Sequence, residues 1–157
     1  MINLKNVKSY IISIVIALLV GGISAFLTSG NMNIYKELIT PPLSPPGILF
    51  PIVWTILYVL MGISSALIYN ENRNDKKKAL FTYGISLFFN FTWSLIFFNM
   101  RNFFFAFIWI IFLFVSILQT IIEYFRINKI AAYLQIPYLL WVAFAGYLNL
   151  GIWILNL

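Results

Sequence analysis

The sequence predicts an all-α integral membrane protein, a bundle of five transmembrane helices that forms a single domain over residues 1–157. Three observations support this fold class. Apolar residues make up 62% of the chain, and 10 basic and 4 acidic residues are too few to cover a water-soluble domain. The apolar residues fall in five runs, each of roughly the 20 residues that a helix needs to cross a bilayer. The runs are continuously apolar rather than alternating, which favours helices over a β-barrel.

The five runs cover, in order, residues 10–28, 48–69, 80–99, 103–124 and 131–155. Polar residues gather in the four breaks, which read TSGNMNIYKELITPPLSPPG, NENRNDKKKA, NMRN and EYFRINK. The first run also fits the apolar part of a signal peptide, with Lys5 and Lys8 before it. Its length of about 18 residues and the lack of a clean small-x-small cleavage site favour a membrane helix.

The basic residues predict the orientation in the cell membrane. Two of them, Lys36 and Arg101, fall on the side opposite the N-terminus. Eight fall on the side of the N-terminus: Lys5, Lys8, Arg73, Lys76, Lys77, Lys78, Arg126 and Lys129. This asymmetry predicts a cytoplasmic N-terminus and an external C-terminus. The cations lie at segment ends rather than in a basic patch, so we expect no nucleic-acid partner.

The connection between the first two runs is the long one, about 19 residues, and it falls on the predicted external side. Pro41, Pro42, Pro45 and Pro46 stiffen it, and Pro51 lies in the first turn of the next helix, where its missing N–H costs little. Two interpretations follow. The prolines form a rigid entry to the second helix, or they form a stiff cover over a binding site, with NIYKEL as a short helical turn.

Tryptophans recur at one depth in the predicted bundle. Trp54, Trp93 and Trp109 each lie roughly 9 to 10 Å below the outer end of their helix, deeper than an interfacial aromatic belt. In the fifth run, Trp141 begins an i, i+4, i+8 stripe that ends at Asn149. Such rings either line a common pocket or fill a lipid-facing layer. The wholly apolar neighbours of Trp109 favour lipid for that residue.

Amides and small residues leave similar alternatives. Asn90, Gln135 and Asn149 lie within apolar runs, where an amide needs a partner and turns toward another helix or a cavity. In the first run, four small residues are spaced by four: Ser13, Ala17, Gly21 and Ala25. That stripe permits close approach of another helix, another subunit or a flat ligand.

Three segments, PPLSPPGILFPIVWTILYVLMGIS, NFTWSLIFFNMR and LQIPYLLWVAFAGYLNL, resemble the signatures of the translocator protein family, also called tryptophan-rich sensory proteins or peripheral benzodiazepine receptors. They cover the second to fifth runs with their spacing, and the chain looks like a bacterial member. The resemblance implies a five-helix bundle, a homodimer, and an apolar pocket in the half nearest the first connection. The implied ligands are porphyrins and other tetrapyrroles, sterols and benzodiazepine-site compounds, with no required cofactor and no metal.

The same resemblance implies the ligand-binding residues. They are Ala25, Tyr35, Trp54, Tyr58, Asn90, Trp93, Trp141, Ala145 and Leu148. The sterol motif of mammalian members places a basic residue soon after a tyrosine near the C-terminus, and none follows Tyr147 here. Looser matches to that pattern occur at Leu118–Tyr124–Arg126 and Leu67–Tyr69–Arg73.

The sequence lacks the residues of conventional catalysis. Histidine and cysteine are absent, and the four acids lie in loops or at span ends: Glu37, Glu71, Asp75 and Glu123. This argues against acid–base catalysis and against a proton-coupled exporter. A light-excited porphyrin packed on Trp54 and Trp141 can exchange electrons with them, so we expect these two residues to have a photochemical role. We therefore favour a tetrapyrrole-binding membrane receptor or sensor, with light-dependent porphyrin breakdown as a further activity. A transmembrane carrier of porphyrins or related solutes is the alternative, and a scaffold is the third class.

Overall fold

The computed structural model describes residues 4–157, with side chains from residue 6 onward, and these residues form helices and connections with no strand. The helices are α1 (Leu4–Thr28), α2 (Ile34–Glu37), α3 (Leu49–Asn70), α4 (Lys76–Ser94), α5 (Phe103–Ile127) and α6 (Lys129–Leu155). A π-helical turn, Leu95–Asn99, continues α4. Five of these helices, all except α2, are long and apolar enough to cross a membrane. The predicted five-helix all-α architecture is confirmed.

The helices extend past the apolar runs at their polar ends. Helix α4, which with its π turn contains the third apolar run, begins at Lys76 rather than at residue 80. Helix α5, which contains the fourth run, continues to Ile127 rather than ending at residue 124. Apolar counting marks only the part of a helix that fits the hydrocarbon, whereas backbone hydrogen bonding continues through charged residues. Asn128 is the single residue between α5 and α6. Its N–H donates to the Tyr124 carbonyl at 2.7 Å and so ends α5, and its side chain accepts from the Ala131 N–H at 3.1 Å and so caps the start of α6.

The connecting segment between α1 and α3, residues 29–48, is not a single long loop. A 3₁₀ turn (Ser29–Asn31) and the one-turn helix α2 occupy its first part, and the proline-rich part follows. The helical turn predicted in NIYKEL is α2. Hydrogen bonds such as Leu38 N–H to the Ile34 carbonyl, 3.1 Å, fold this part of the connection locally.

Small residues bring α1 close to α3. A Cβ added at Gly62 would overlap the backbone of Ile14, and one added at Gly21 would overlap the ring of Tyr58. Ala17, between them on α1, is fully buried. The small-residue stripe could have accommodated another helix, another subunit or a flat ligand. In this structure the neighbouring helix α3 packs against its middle part, Ala17 and Gly21.

The bundle is densely packed in the half where α1, α4 and α6 begin, which we call the packed half. Met61, Ile68 and Ile117 have no exposed surface there. Gln135 donates to the Ser64 hydroxyl at 3.0 Å, and that hydroxyl donates to the Ala131 carbonyl at 2.7 Å. This amide thus joins α6 to α3, as the interhelical interpretation expected.

Candidate functional site

A cavity of about 710 Å³ lies in the other half of the bundle, beneath the connecting segment, and we call this the cavity half. Its wall comes from α1, α2, α3, α4 with its π turn, and α6. Eight of the nine residues that the sequence placed in a pocket line it: Ala25, Tyr35, Trp54, Tyr58, Asn90, Trp93, Ala145 and Leu148. The structure therefore brings together residues from five helices that are far apart in the sequence.

Trp141 is the residue that the structure places elsewhere. It lies in a second groove of about 520 Å³ between α3 and α6, together with Val53, Pro137 and Phe144. The ring of Phe50 lines the cavity and meets Trp141 edge-on, with ring centroids 5.9 Å apart. An i, i+4 stripe turns by about 40° at each step, so the far end of the stripe leaves the cavity wall. Trp141 therefore lines the groove and not the cavity of Trp54 in this structure, and its part in ligand binding stays a prediction.

A hydrogen-bonded group forms the floor of the cavity. The Tyr58 hydroxyl donates to Asn90 Oδ1 at 2.7 Å, and Asn90 Nδ2 donates to the Tyr138 hydroxyl at 2.9 Å. Asn90 is 2% exposed and Tyr138 has no exposed surface. Both interpretations of Asn90 therefore apply, because it joins α3, α4 and α6 and also lines the cavity.

Two tryptophans of the wall are held in different ways. Trp54 stacks on Tyr58 with ring centroids 5.6 Å apart and 29° between the planes. The indole N–H of Trp93 donates to Asn149 Oδ1 at 3.0 Å, and Asn149 Nδ2 donates to the Phe103 carbonyl at 2.8 Å. The cavity thus has one wall of stacked rings and one ring fixed by an amide.

Trp109 does not stand free in lipid, as its apolar neighbours suggested. Its indole N–H donates to the Thr92 hydroxyl at 2.7 Å, and its ring meets Phe89 edge-on at 5.1 Å. The ring is therefore packed between α4 and α5. No sequence pattern pairs Trp109 with Thr92, because the contact depends on how α5 packs against α4.

The proline-rich part of the connecting segment is bound to the end of α6 as a roof. Asn156 accepts from the Ile39 N–H at 3.0 Å and donates to the Ile39 carbonyl at 2.8 Å. The Tyr147 hydroxyl donates to the Pro42 carbonyl at 2.8 Å, and Gly151 allows Pro41 to approach because a Cβ would overlap the proline ring. These contacts support the stiff-cover interpretation of the prolines.

Several lining residues were not foreseen as such. They include Ser24, Thr28, Met32, Phe50, Phe97, Phe98 and Ile152. Among the described residues that line the cavity, Lys36 is the one with a charged side chain. Phe97 and Phe98 enter the wall through the π-helical turn, a feature common at functional sites for which the sequence carries no signal.

The two loose matches to the sterol motif differ in how far their tyrosines are exposed. Tyr124 has no exposed surface, so the pattern Leu118–Tyr124–Arg126 cannot present its tyrosine to a membrane lipid. Tyr69, in the other pattern, is 57% exposed, but its partner Arg73 forms an ion pair with Asp75 at 2.8 Å. No group of three or more histidine, cysteine or acidic side chains that could hold a metal ion occurs among the described residues.

The comparison with known proteins agrees with this geometry. A profile of the TspO/MBR family matches residues 13–154. The tryptophan-rich protein TspO of Chlorobaculum tepidum is 37% identical over 124 residues, 78% of each chain. The protein of that name from Archaeoglobus fulgidus is 32% identical over 152 residues, 96% of this chain and 99% of that one. The human translocator protein is 30% identical over 133 residues, 83% of this chain and 79% of that one.

The profile and the relatives confirm the resemblance seen in the three sequence segments, and their matches run through all five apolar helices. The chain therefore belongs to the TspO/MBR family and is a multi-pass integral membrane protein.

Proposed function

We propose that the protein is a membrane receptor or sensor that binds a protoporphyrin-like tetrapyrrole, or another flat apolar molecule such as a benzodiazepine-site compound, in the cavity. The observation that carries the proposal is the cavity itself. Its volume of about 710 Å³ suits an organic ligand, and seven aromatic side chains line its wall. No further cofactor is needed for this role.

The wall offers a different contact to each part of such a ligand. The stacked Trp54 and Tyr58 rings present an apolar face on which a flat macrocycle packs. Ala25 and Ala145 on other helices leave room for the ring system. Lys36, in α2, supplies a cation for a propionate carboxylate. A ligand with a flat apolar body and an acidic edge matches this distribution.

A receptor is favoured over a carrier by the packed half of the bundle. The cavity ends at the Tyr58–Asn90–Tyr138 floor, beyond which Ile68 and Ile117 are fully buried. A carrier must expose its site to both sides of the membrane, and this arrangement offers access from the cavity half only. The alternative hypothesis of a carrier accords with the name of the human relative. Porphyrin flux into sealed vesicles that contain the protein would support it.

Light-dependent porphyrin breakdown is the further activity that we propose. A light-excited porphyrin in contact with Trp54 takes one electron from the indole, which leaves a tryptophan radical cation and a porphyrin radical anion. Dioxygen adds to the reduced macrocycle, an electron returns from that adduct to the indole radical cation and restores Trp54, and the resulting dioxetane splits one C–C bond of the macrocycle into two carbonyl groups. Trp141 lies behind Phe50, so we assign the first electron transfer to Trp54 and to Trp141 a secondary role.

Porphyrin fluorescence tests this function directly. The full chain in nanodiscs is titrated with protoporphyrin IX in the dark, and the bound porphyrin is then illuminated. Saturable quenching in the dark with loss of porphyrin only in the light supports a receptor with photochemical activity. Saturable quenching without light-dependent loss supports a receptor alone, and the absence of saturable binding contradicts the proposal.

We also propose that the N-terminus is cytoplasmic, as the basic residues predict. The chain has no cysteine, so single cysteines can be introduced without background. Asn74→Cys lies between α3 and α4, and Leu157→Cys at the C-terminus. In intact cells an impermeant maleimide should label position 157 and spare position 74. The reverse pattern would invert the topology.

The homodimer that the resemblance implies is part of the same proposal. The surface of α1 facing away from α3 exposes Ile16, Leu19 and Ile23, which either a second copy or lipid can cover. Single-molecule photobleaching of the labelled protein in nanodiscs should show two steps. A single step at all protein-to-lipid ratios would show a monomer.

A further inference from the structure

Electric charge is concentrated at the end of the packed half. Three helices begin there and two end there, and the described side chains at that end include three carboxylates, Glu71, Asp75 and Glu123. They also include seven cations: Lys8, Arg73, Lys76, Lys77, Lys78, Arg126 and Lys129. The end covered by the connecting segment has only Lys36, Arg101 and Glu37 among its described charges. The two ends of the bundle therefore differ strongly in electrostatic potential.

Internal contacts use part of this positive charge. Arg73 pairs with Asp75 at 2.8 Å, and Lys78 Nζ lies 3.6 Å from Glu123 Oε1. Lys76 Nζ donates to the carbonyls of Tyr69 and Glu71 at the end of α3. Within residues 6–157, the remaining cations form no ion pair: Lys8, Lys77, Arg126 and Lys129.

The helix dipoles add to the excess. Lys76, Lys77 and Lys78 form the first turn of α4, and Lys129 is the first residue of α6. The N-terminal end of a helix carries positive partial charge, so cations are disfavoured there. An external anion would relieve both the repulsion between the cations and their repulsion from the dipoles.

The turn between α5 and α6 combines two of these cations with an apolar surface. Arg126 and Lys129 flank Asn128, and both are exposed. The rings of Phe125 and Tyr133 meet edge-on at 5.4 Å and are 40% and 55% exposed. Lys129 and Tyr133 are four residues apart and share one face of α6. Tyr133 lies roughly 6 Å into the helix, a depth that suits the membrane interface.

We propose that the α5–α6 turn binds an anionic phospholipid. Arg126 and Lys129 hold the phosphate and the charged headgroup, and Phe125 and Tyr133 pack against the start of an acyl chain. Charge complementarity selects the headgroup, and the position of the turn at the end of two membrane helices supplies a lipid rather than a soluble partner. The site lies in the packed half, so this proposal does not depend on the ligand of the cavity.

Spin-labelled lipids test the proposal. The full chain is reconstituted in phosphatidylcholine vesicles with a trace of spin-labelled phosphatidylglycerol or spin-labelled phosphatidylcholine, and the motionally restricted fraction gives the relative affinity of each. We expect a preference for phosphatidylglycerol. Each cation removed, as in Arg126→Gln and Lys129→Gln, should lower that preference about fivefold. Arg101→Gln, at the other end, is the matched control and should leave it unchanged.

Two further arms separate the alternatives. The exchanged double variant Arg126→Lys with Lys129→Arg keeps the charge and should retain the preference, which distinguishes lost charge from damaged structure. Inorganic phosphate at millimolar concentration should not displace the labelled lipid. Equal affinities for the two lipids in the wild type, an unchanged preference in the Gln variants, or displacement by free phosphate would overturn the proposal.

Discussion

The cavity half and the packed half are built from the same five membrane helices but use their large side chains differently. In the packed half, the branched side chains of Ile68 and Ile117 have no exposed surface. In the cavity half, the rings of Trp54 and Trp93 share the wall with small residues such as Ala145. A large ring opposite a small side chain leaves space, whereas branched side chains of equal size fill it. The comparison shows that the cavity exists because large rings face small side chains in that half of the bundle.

The largest expected effect comes from placing one bulky side chain in each half. Ala132, on α6, is fully buried in the packed half, and Ala145, on the same helix, lines the cavity. Ala132→Phe should lower the free energy of unfolding by about 3 kcal/mol, because overpacking forces the helices apart. Ala145→Phe should fold normally and weaken porphyrin binding by more than ~1 kcal/mol.

Thermal unfolding in detergent and porphyrin titration measure these two effects separately. A folded Ala145→Phe variant with unchanged affinity would show that this part of the cavity does not hold the ligand. Equal stability of the two variants would remove the distinction between the halves.

A second test concerns the contact of α1 with α3. Gly62→Ala places a Cβ against the backbone of Ile14, which cannot move without shifting the helix, and should destabilise the protein by roughly 2 kcal/mol. Gly84→Ala on α4 is the control, because nothing lies within 4 Å of its added Cβ. That control should be neutral or slightly stabilising, since alanine favours helix more than glycine does. Comparable melting temperatures for the two variants would contradict the close α1–α3 packing.

The floor between the two halves supplies the third test. Asn90→Leu leaves the Tyr58 hydroxyl without its acceptor and the Tyr138 hydroxyl without its donor, at a cost of about 1–2 kcal/mol in stability. Asn72→Leu, an exposed position between α3 and α4, is the matched control. If Asn90 only stabilises the fold, the porphyrin affinity of the folded Asn90→Leu variant should equal that of the wild type. A loss of affinity larger than the loss of stability would assign Asn90 to the ligand.

The sequence was sufficient for the helices and for most of the cavity wall. Apolar runs identify membrane helices because hydrocarbon admits no unpaired backbone, and the family signatures carry over the positions of Trp54 and Asn90. It was insufficient for Trp141, since helical spacing fixes a face only to within tens of degrees and the ring of Phe50 decides which side of that face meets the cavity. The π-helical turn that brings in Phe97 depends on packing of α4 against its neighbours, which no local pattern encodes.

The smallest expected change in affinity distinguishes the two tryptophans of the original pocket prediction. Trp54→Phe keeps an apolar ring stacked on Tyr58, so porphyrin affinity should fall by only a few tenths of a kcal/mol, roughly the value of the lost ring area. One-electron oxidation should fail, because a benzene ring is far harder to oxidise than an indole. Light-driven porphyrin loss should therefore drop sharply in Trp54→Phe.

Trp141→Phe is the matched comparison, because Phe50 separates this indole from the cavity. We expect its breakdown rate to stay close to that of the wild type at equal porphyrin occupancy. Removing the intervening ring should change that result: in Phe50→Ala with Trp54→Phe, Trp141 becomes accessible from the cavity and part of the light-driven loss should return. The measurement is the decay of porphyrin fluorescence under constant illumination. A breakdown rate that is undiminished in Trp54→Phe with Trp141→Phe would show that both indoles only shape the wall, and the protein would then be a receptor without photochemistry.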